Sequence, residues 1–262
     1  MTSPNSGQRL KEKVAIVTGG AHGIGKAYCM RLADEGASVV VADINKEQAD
    51  IVVKTIEDKG GNALATRTDI SDPKSTDEMA KQTIGKFGKI DILVNNAAIF
   101  GVVPISRVNF WDISLEDWNK VMAANITGTF LCIRSVLPYM RASGGKIINQ
   151  SSAAFHAGLP NFTHYIASRG AIIGMTRSMA RELGQFNINV NSIAPGATFT
   201  PEMVKNADEA ALQRQKATIA VRALKRIEYP EDLVGALIFL ASSDSDFVTG
   251  QTMIVDGGAV MI

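Results

Sequence analysis

Ser152, Tyr165 and Arg169 are the residues whose types and spacing could do chemistry, and all three fall in residues 151–169, SSAAFHAGLPNFTHYIASR. Tyr165 and Arg169 stand four residues apart, so a helix through them puts both side chains on one face. A guanidinium fixed beside a phenol favours the phenolate. A tyrosine so placed can take a proton from a reacting oxygen or return it. Ser152 lies 13 residues before Tyr165, just after the largely apolar run 146–149. A strand ending there would present the serine hydroxyl as a hydrogen-bond donor to the same oxygen. These groups suit proton exchange at a carbonyl or a carbinol.

The remaining sequence reads as the scaffold that positions them. Residues 14–17, Val-Ala-Ile-Val, form a short unbroken apolar run, the pattern of a strand buried on both faces of a parallel sheet. Gly19, Gly20, His22, Gly23, Ile24 and Gly25 follow and lead into a helical pattern over 26–35. Glycines there let the chain turn tightly and approach a pyrophosphate, whose charge meets the helix N-terminus. Asp43 ends the second apolar run, 38–42, at 18 residues beyond Gly25. That is close to the spacing at which an acid binds the adenosine ribose of a dinucleotide. A carboxylate repels a 2′-phosphate, so NAD is expected over NADP, although Lys46 is near; Asp43 can also serve as a helix N-cap. Further strands are expected around 63–66, 91–94, 146–149, 189–193 and 252–255. Helices are expected over 46–59, 73–87, 115–140, 162–183 and 230–242. Alternation of this kind argues for a doubly wound parallel sheet.

Ser152 with Tyr165-x-x-x-Arg169, the glycine loop, Asp43 and Asn95-Asn96-Ala97-Ala98 together resemble the short-chain dehydrogenase/reductase family, over about residues 10–258. That family carries lysine where this chain has Arg169. The resemblance implies a single-domain Rossmann-like α/β fold of about seven strands with helices on both faces. Residues 1–9 would be a flexible N-terminus and 10–262 one dinucleotide-binding and catalytic domain, with a lid at about 200–220. It further implies that Asp69 and Ile70 contact adenine, although Asp69 could equally be a turn acid. Asn96 and Ala97 would line the cofactor cleft, with Asn95 supporting the sheet. Asn125 would hold a proton-exit water, or else be a buried structural amide. Pro195, Gly196 and Thr200 match the places where the family holds the nicotinamide carboxamide, Thr198 acting through its backbone. In this reading Tyr165 and Arg169 also touch the cofactor. The activity implied is NAD-dependent hydride transfer to or from a secondary alcohol that is cyclic, aryl or sugar-like. The alternative is an NAD(H)-binding sensor or scaffold with little catalysis, because arginine is bulkier than lysine and does not release a proton. Substrate neighbours would be Phe100, Phe155, His156, Phe162 and His164, with Arg107 and Trp111 from a loop over 99–111 that is longer than compact members carry.

Composition bounds the rest. In 262 residues, 27 Lys and Arg balance 26 Asp and Glu for a net charge of +1. No field of one sign points to nucleic acid or an anionic membrane, so a small-molecule alcohol or carbonyl partner is expected. Cys29 and Cys132 sit in apolar helical patterns and read as buried free thiols, which fits a cytoplasmic protein. Three separated histidines do not make a metal site. No apolar run approaches the length of a spanning helix, and a helix over 162–183 is apolar beyond one stripe, hence buried on more than one side; it resembles the family's main subunit contact, which implies a homo-oligomer, a tetramer above all.

Overall fold

The computed structural model describes residues 8–100, 105–200 and 209–262. Seven strands form one parallel sheet: β1 (Val14–Thr18), β2 (Ser38–Asp43), β3 (Ala63–Arg67), β4 (Ile92–Asn95), β5 (Gly145–Gln150), β6 (Ile188–Pro195) and β7 (Thr252–Val255). Their order is β3-β2-β1-β4-β5-β6-β7. The winding reverses between β1 and β4, and a crevice opens there at the carboxyl edge. Ala15 pairs with Val39 on one side and Ile92 on the other, so β1 is enclosed by strands as well as by helices.

Alternation along β1 divides the core. Ala15 and Val17 join one buried cluster with Tyr28, Cys29 and Leu32 of α1 (Gly23–Asp34) and Leu237 and Ile238 of α9 (Val234–Ala241). Ile16 points the other way, to Met79 of α3 (Pro73–Phe87), Cys132 and Val136 of α5 (Gly128–Met140), and Leu183 of α7 (Thr163–Leu183). Both cysteines are buried and free. Burial pushes both thiols up, Cys132 to about 12. Local signals set the helix ends. Asn45 accepts from Gln48 N–H to start α2 (Lys46–Glu57), and Asp72 with Pro73 starts α3.

Three expectations need amendment. The helix expected over 115–140 is α4 (Leu115–Met122), one turn of π-helix (Ala123–Thr127) and α5, with Ser114 capping its start. By length and composition that 26-residue run, mean hydropathy 1.3 in its most apolar window, could span a membrane. Half of that window is buried against the rest of the fold, which is how a core helix reads. The helix expected over 230–242 divides into a 3₁₀ turn, Pro230–Asp232, and α9. Of the stretch expected as a lid, residues 201–208 lie outside the described residues and Glu209–Val221 is helix α8. The short α6 (Ala153–Ala157) follows β5 directly.

Candidate active site

The glycine loop is a tight backbone knot. Gly19 adopts φ +62°, a region that penalises a Cβ, and a Cβ on Gly25 would lie 1.9 Å from the Gly19 carbonyl oxygen. Asn96 Nδ2 donates to the carbonyls of Thr18 and Gly19, while Thr18 Oγ1 accepts from Asn96 N–H and Ala97 N–H. Asp43, at the end of β2, accepts from Ala21 N–H through one oxygen and from Asn45 N–H through the other, both at 3.0 Å. His22 is the N-cap of α1 without a side-chain bond, and Ile24 is half-buried beside it. Asp69 Oδ1 takes Ser71 N–H and its hydroxyl, the turn-acid alternative, and Ile70 fills the space over Gly128. Asn95 donates to Asn149, which donates to Thr176, so this asparagine supports the sheet.

Ser152 opens α6 directly after β5, and Tyr165 and Arg169 lie on α7. Ser152 caps α6, accepting from Ala154 N–H at 3.2 Å, which leaves its O–H free to donate. Tyr165 and Arg169 share one face of α7, the guanidinium Cζ lying 4.8 Å from the tyrosine ring centroid. Arg169 is buried; one terminal nitrogen donates to Gln150 O at 2.8 Å, and its Nε has no partner. Asn125 sits in the π turn, a distortion frequent at functional sites. Its Oδ1 accepts from Ile99 N–H and its Nδ2 donates to Ser168, so the side chain is engaged as a buried structural amide.

Substrate candidates divide. Phe100 stacks on Tyr165 at 4.8 Å, Phe162 tilts against both rings, and Arg107 lies 4.5 Å over Phe162. Those residues are brought together. Trp111 is not, being 78% exposed on the turn Phe110–Asp112. Phe155 lies over Gly170 of α7 and packs edge-on with His156. His164 has no exposed surface, so it braces the wall from behind. Its Nε2 is 3.5 Å from Ser106 Oγ, which donates to Asp117 of α4. Burial lowers the His164 pKa, with Asp117 opposing.

The loop after β6 completes the crevice. A Cβ on Gly23 would lie 3.3 Å from the Thr200 methyl, so the loops after β1 and β6 lie side by side. Pro195 closes the pairing with Val255, and Gly196 N–H donates to Val255 O. Thr198 Oγ1 donates to Glu228, a buried carboxylate paired with Arg222 at 2.9 Å. Burial raises the Glu228 pKa while Thr198 and Arg222 oppose the rise. Sequence reading missed Thr18, Gln150, Arg222 and Glu228. Their partners lie on other elements, and no local pattern in the sequence marks them. Among the described residues no three of His, Cys, Asp or Glu converge as metal ligands.

These groups fit a dinucleotide: a backbone loop with no room for side chains, a fixed carboxylate after β2, and an unpartnered buried Nε at the crevice. Comparison with known proteins bears on this fit. The family profile described as "Enoyl-(Acyl carrier protein) reductase" matches residues 19–260. The chain is 38% identical over 257 residues to a 3-oxoacyl-[acyl-carrier-protein] reductase of Thermotoga maritima, covering 97% of this chain and 100% of that one. It is 37% identical over 250 residues to a (2S)-[(R)-hydroxy(phenyl)methyl]succinyl-CoA dehydrogenase subunit of Thauera aromatica, covering 95% and 97%. A crystal structure of a short-chain type dehydrogenase/reductase from Mycobacterium marinum superposes with TM-score 0.86 at 32% identity, over 97% of both chains.

Proposed function

The chain belongs to the short-chain dehydrogenase/reductase family, and on that premise we propose that it is an NAD-dependent oxidoreductase acting on a secondary alcohol or its ketone, with Tyr165 as general acid and base. The observation that carries this is the buried Tyr165 ring, stacked by Phe100 and faced by Arg169 on the helix that follows β5 and the Ser152 cap. An aryl alcohol is favoured over a cyclic or sugar-like one, because Phe100 and Phe162 offer ring faces. A relative whose name specifies a hydroxy(phenyl)methyl group supports the same choice.

Nicotinamide, when bound, accepts or supplies the hydride. Gly19, Gly25, Asp43, Arg169 and the turn 195–200 would hold the dinucleotide. Ser152 donates its hydroxyl to the substrate oxygen, and Tyr165 takes or returns the proton there. The Arg169 guanidinium places a fixed positive charge beside the Tyr165 ring. It does not pass the proton on, because guanidinium stays protonated. Proton exit then takes a route other than Arg169, and turnover is slower than a lysine would permit. Asp43, fixed after β2 by two backbone N–H groups, is a carboxylate that would repel a 2′-phosphate bound beside it, which supports NAD over NADP.

The test is NADH formation with NAD and then NADP against aryl carbinols, cyclic alcohols and aldoses, followed by Arg169→Lys. Turnover on aryl carbinols with NAD, rising in Arg169→Lys, is the expected result. Unchanged turnover in the variant with collapsed cofactor affinity would sink the relay argument. Silence across the panel with NADH binding intact would favour a sensor. The same reading makes the protein a cytoplasmic homotetramer of single-domain subunits. Exposed Phe130 on α5 offers apolar surface to a second copy, and light scattering of the purified protein measures the assembly.

A further inference from the structure

The Arg222–Glu228 pair stands apart from Ser152, Tyr165 and Arg169 in sequence, yet its side-chain hydrogen bonds outside residues 222–228 go to the turn after β6. Arg222 is 1% exposed and Glu228 5%. One Arg222 terminal nitrogen donates to Ala197 O at 2.8 Å and to Glu228 Oε2 at 2.9 Å; the other donates to Arg226 O at 3.0 Å. Glu228 Oε1 accepts from Thr198 Oγ1 at 2.8 Å, and its main-chain carbonyl accepts from Phe199 N–H at 2.9 Å. A Cβ on Gly196 would stand 2.6 Å from Glu228 Oε2 and 3.0 Å from Asp256 Cα, so the carboxylate lies directly against that backbone. Gly196, Ala197, Thr198 and Phe199 are thus each fixed by one buried ion pair or its backbone. A buried pair with this many hydrogen bonds is a costly way to hold a chain end. It is an effective way to fix where a few consecutive peptide groups point.

We propose that the Arg222–Glu228 pair is a positioning device for the nicotinamide half of the cofactor, acting through the turn Gly196–Phe199 and touching neither substrate nor reacting atoms. This rests on the reading of that turn given above. The pair sets the direction of the turn's N–H and C=O groups, and so the affinity for the ring they hold; the adenosine half is bound elsewhere, at Asp43 and the glycine loop.

Calorimetric titration of NADH and of ADP-ribose, which lacks only the nicotinamide ring, separates the two halves. Thr198→Val removes the hydroxyl bond to Glu228, and Glu228→Gln keeps an acceptor for Thr198 while removing the charge. Each is expected to weaken NADH about tenfold, the loss of one charge-assisted bond, and to leave ADP-ribose within about twofold. Thr198→Ser should restore NADH affinity. If both ligands keep wild-type affinity in both variants, or both weaken together, the pair only holds the fold and the proposal is overturned. If the wild-type protein binds NADH no more tightly than ADP-ribose, the turn holds no nicotinamide, and the reading of the turn fails before any variant is made. Should Glu228→Gln not fold, Thr198→Val and its serine rescue decide the matter.

Discussion

Around the glycine loop, position is fixed by the main chain. Ala21 N–H and Asn45 N–H grip Asp43, Asn96 bridges two carbonyls, and Gly25 sits against the Gly19 backbone with no room for a methyl. Around Tyr165, position is fixed by rings and cations. Phe100, Phe162 and Arg169 pack around the Tyr165 ring, Arg107 lies over Phe162, and a chain from Asp117 through Ser106 to His164 holds the adjoining loop. Backbone contacts leave few ways to vary a ligand, whereas side chains on a loop can change without disturbing the sheet. One end of this crevice is therefore built to bind one molecule in one way, and the other end is built to be retuned. Independent failure of the two ends is the measurable consequence.

The largest expected separation comes from Tyr165→Phe. Loss of the proton-transferring hydroxyl should lower turnover by about 10²–10⁴-fold, the usual size of a general acid–base contribution. The ring stack on Phe100 is kept, so NADH affinity should change far less than turnover, by no more than the loss of one hydrogen bond, about tenfold. If affinity falls together with turnover, the two ends are not independent. Gly25→Ala should do the reverse. Its Cβ would be driven into a backbone oxygen that has no rotamer to escape by, and overpacking of this kind costs about 1–3 kcal/mol or more. Thermal unfolding should fall and NADH binding should be lost. A variant that binds normally would show that the loop is looser than its packing implies.

Why one end was legible in the sequence and the other was not follows from the same contrast. Strands β1 to β4 announced themselves as apolar runs, and the expected 38–42 differs from Ser38–Asp43 by one residue, since enclosure on both faces demands that pattern. Gly19, Gly25 and Asp43 could be placed because the backbone geometry they serve is local. The ring cluster joins Phe100 to Tyr165 across a loop, and Tyr28 donates to Gln150 from 122 positions away. No periodicity records such pairings. His164 was therefore placed beside substrate when its ring lies behind the wall, and Trp111 was placed there when it faces solvent. The π turn at Asn125 was invisible for a related reason, because its residues continue the helical pattern on both sides.

Phe100→Ala sharpens the comparison at smaller amplitude. Removing an aromatic pair costs about 0.5–1.5 kcal/mol beyond area burial, which is a several-fold effect. It should appear as a raised KM for an aryl alcohol and a modest fall in kcat as Tyr165 loses its stacking partner. NADH affinity should stay unchanged. An equal rise in KM for every alcohol class would mean that Phe100 holds Tyr165 and does not contact substrate.

The smallest effect is a matter of pH. Burial holds the His164 pKa below its ordinary 6.5, with Asp117 pulling weakly the other way. In the unfolded chain the imidazole takes a proton as pH falls below about 6.5, whereas in the fold it stays neutral until lower pH. The unfolded state then binds more protons, so stability falls as pH drops from about 6.5 through the lowered value and is unaffected by this group above it. Ser106, Asp117 and His164 tie the loop to α4 and α7, so acid should loosen residues 105–113 before it touches the glycine loop, which no histidine fastens. Amide-exchange protection compared at pH 7.5 and pH 5.5 should drop in 105–113 and hold in β1, and His164→Gln should flatten the fall of melting temperature over the same range. Equal slopes in wild type and variant would mean that the loop is held by its rings alone, with the histidine contributing only volume.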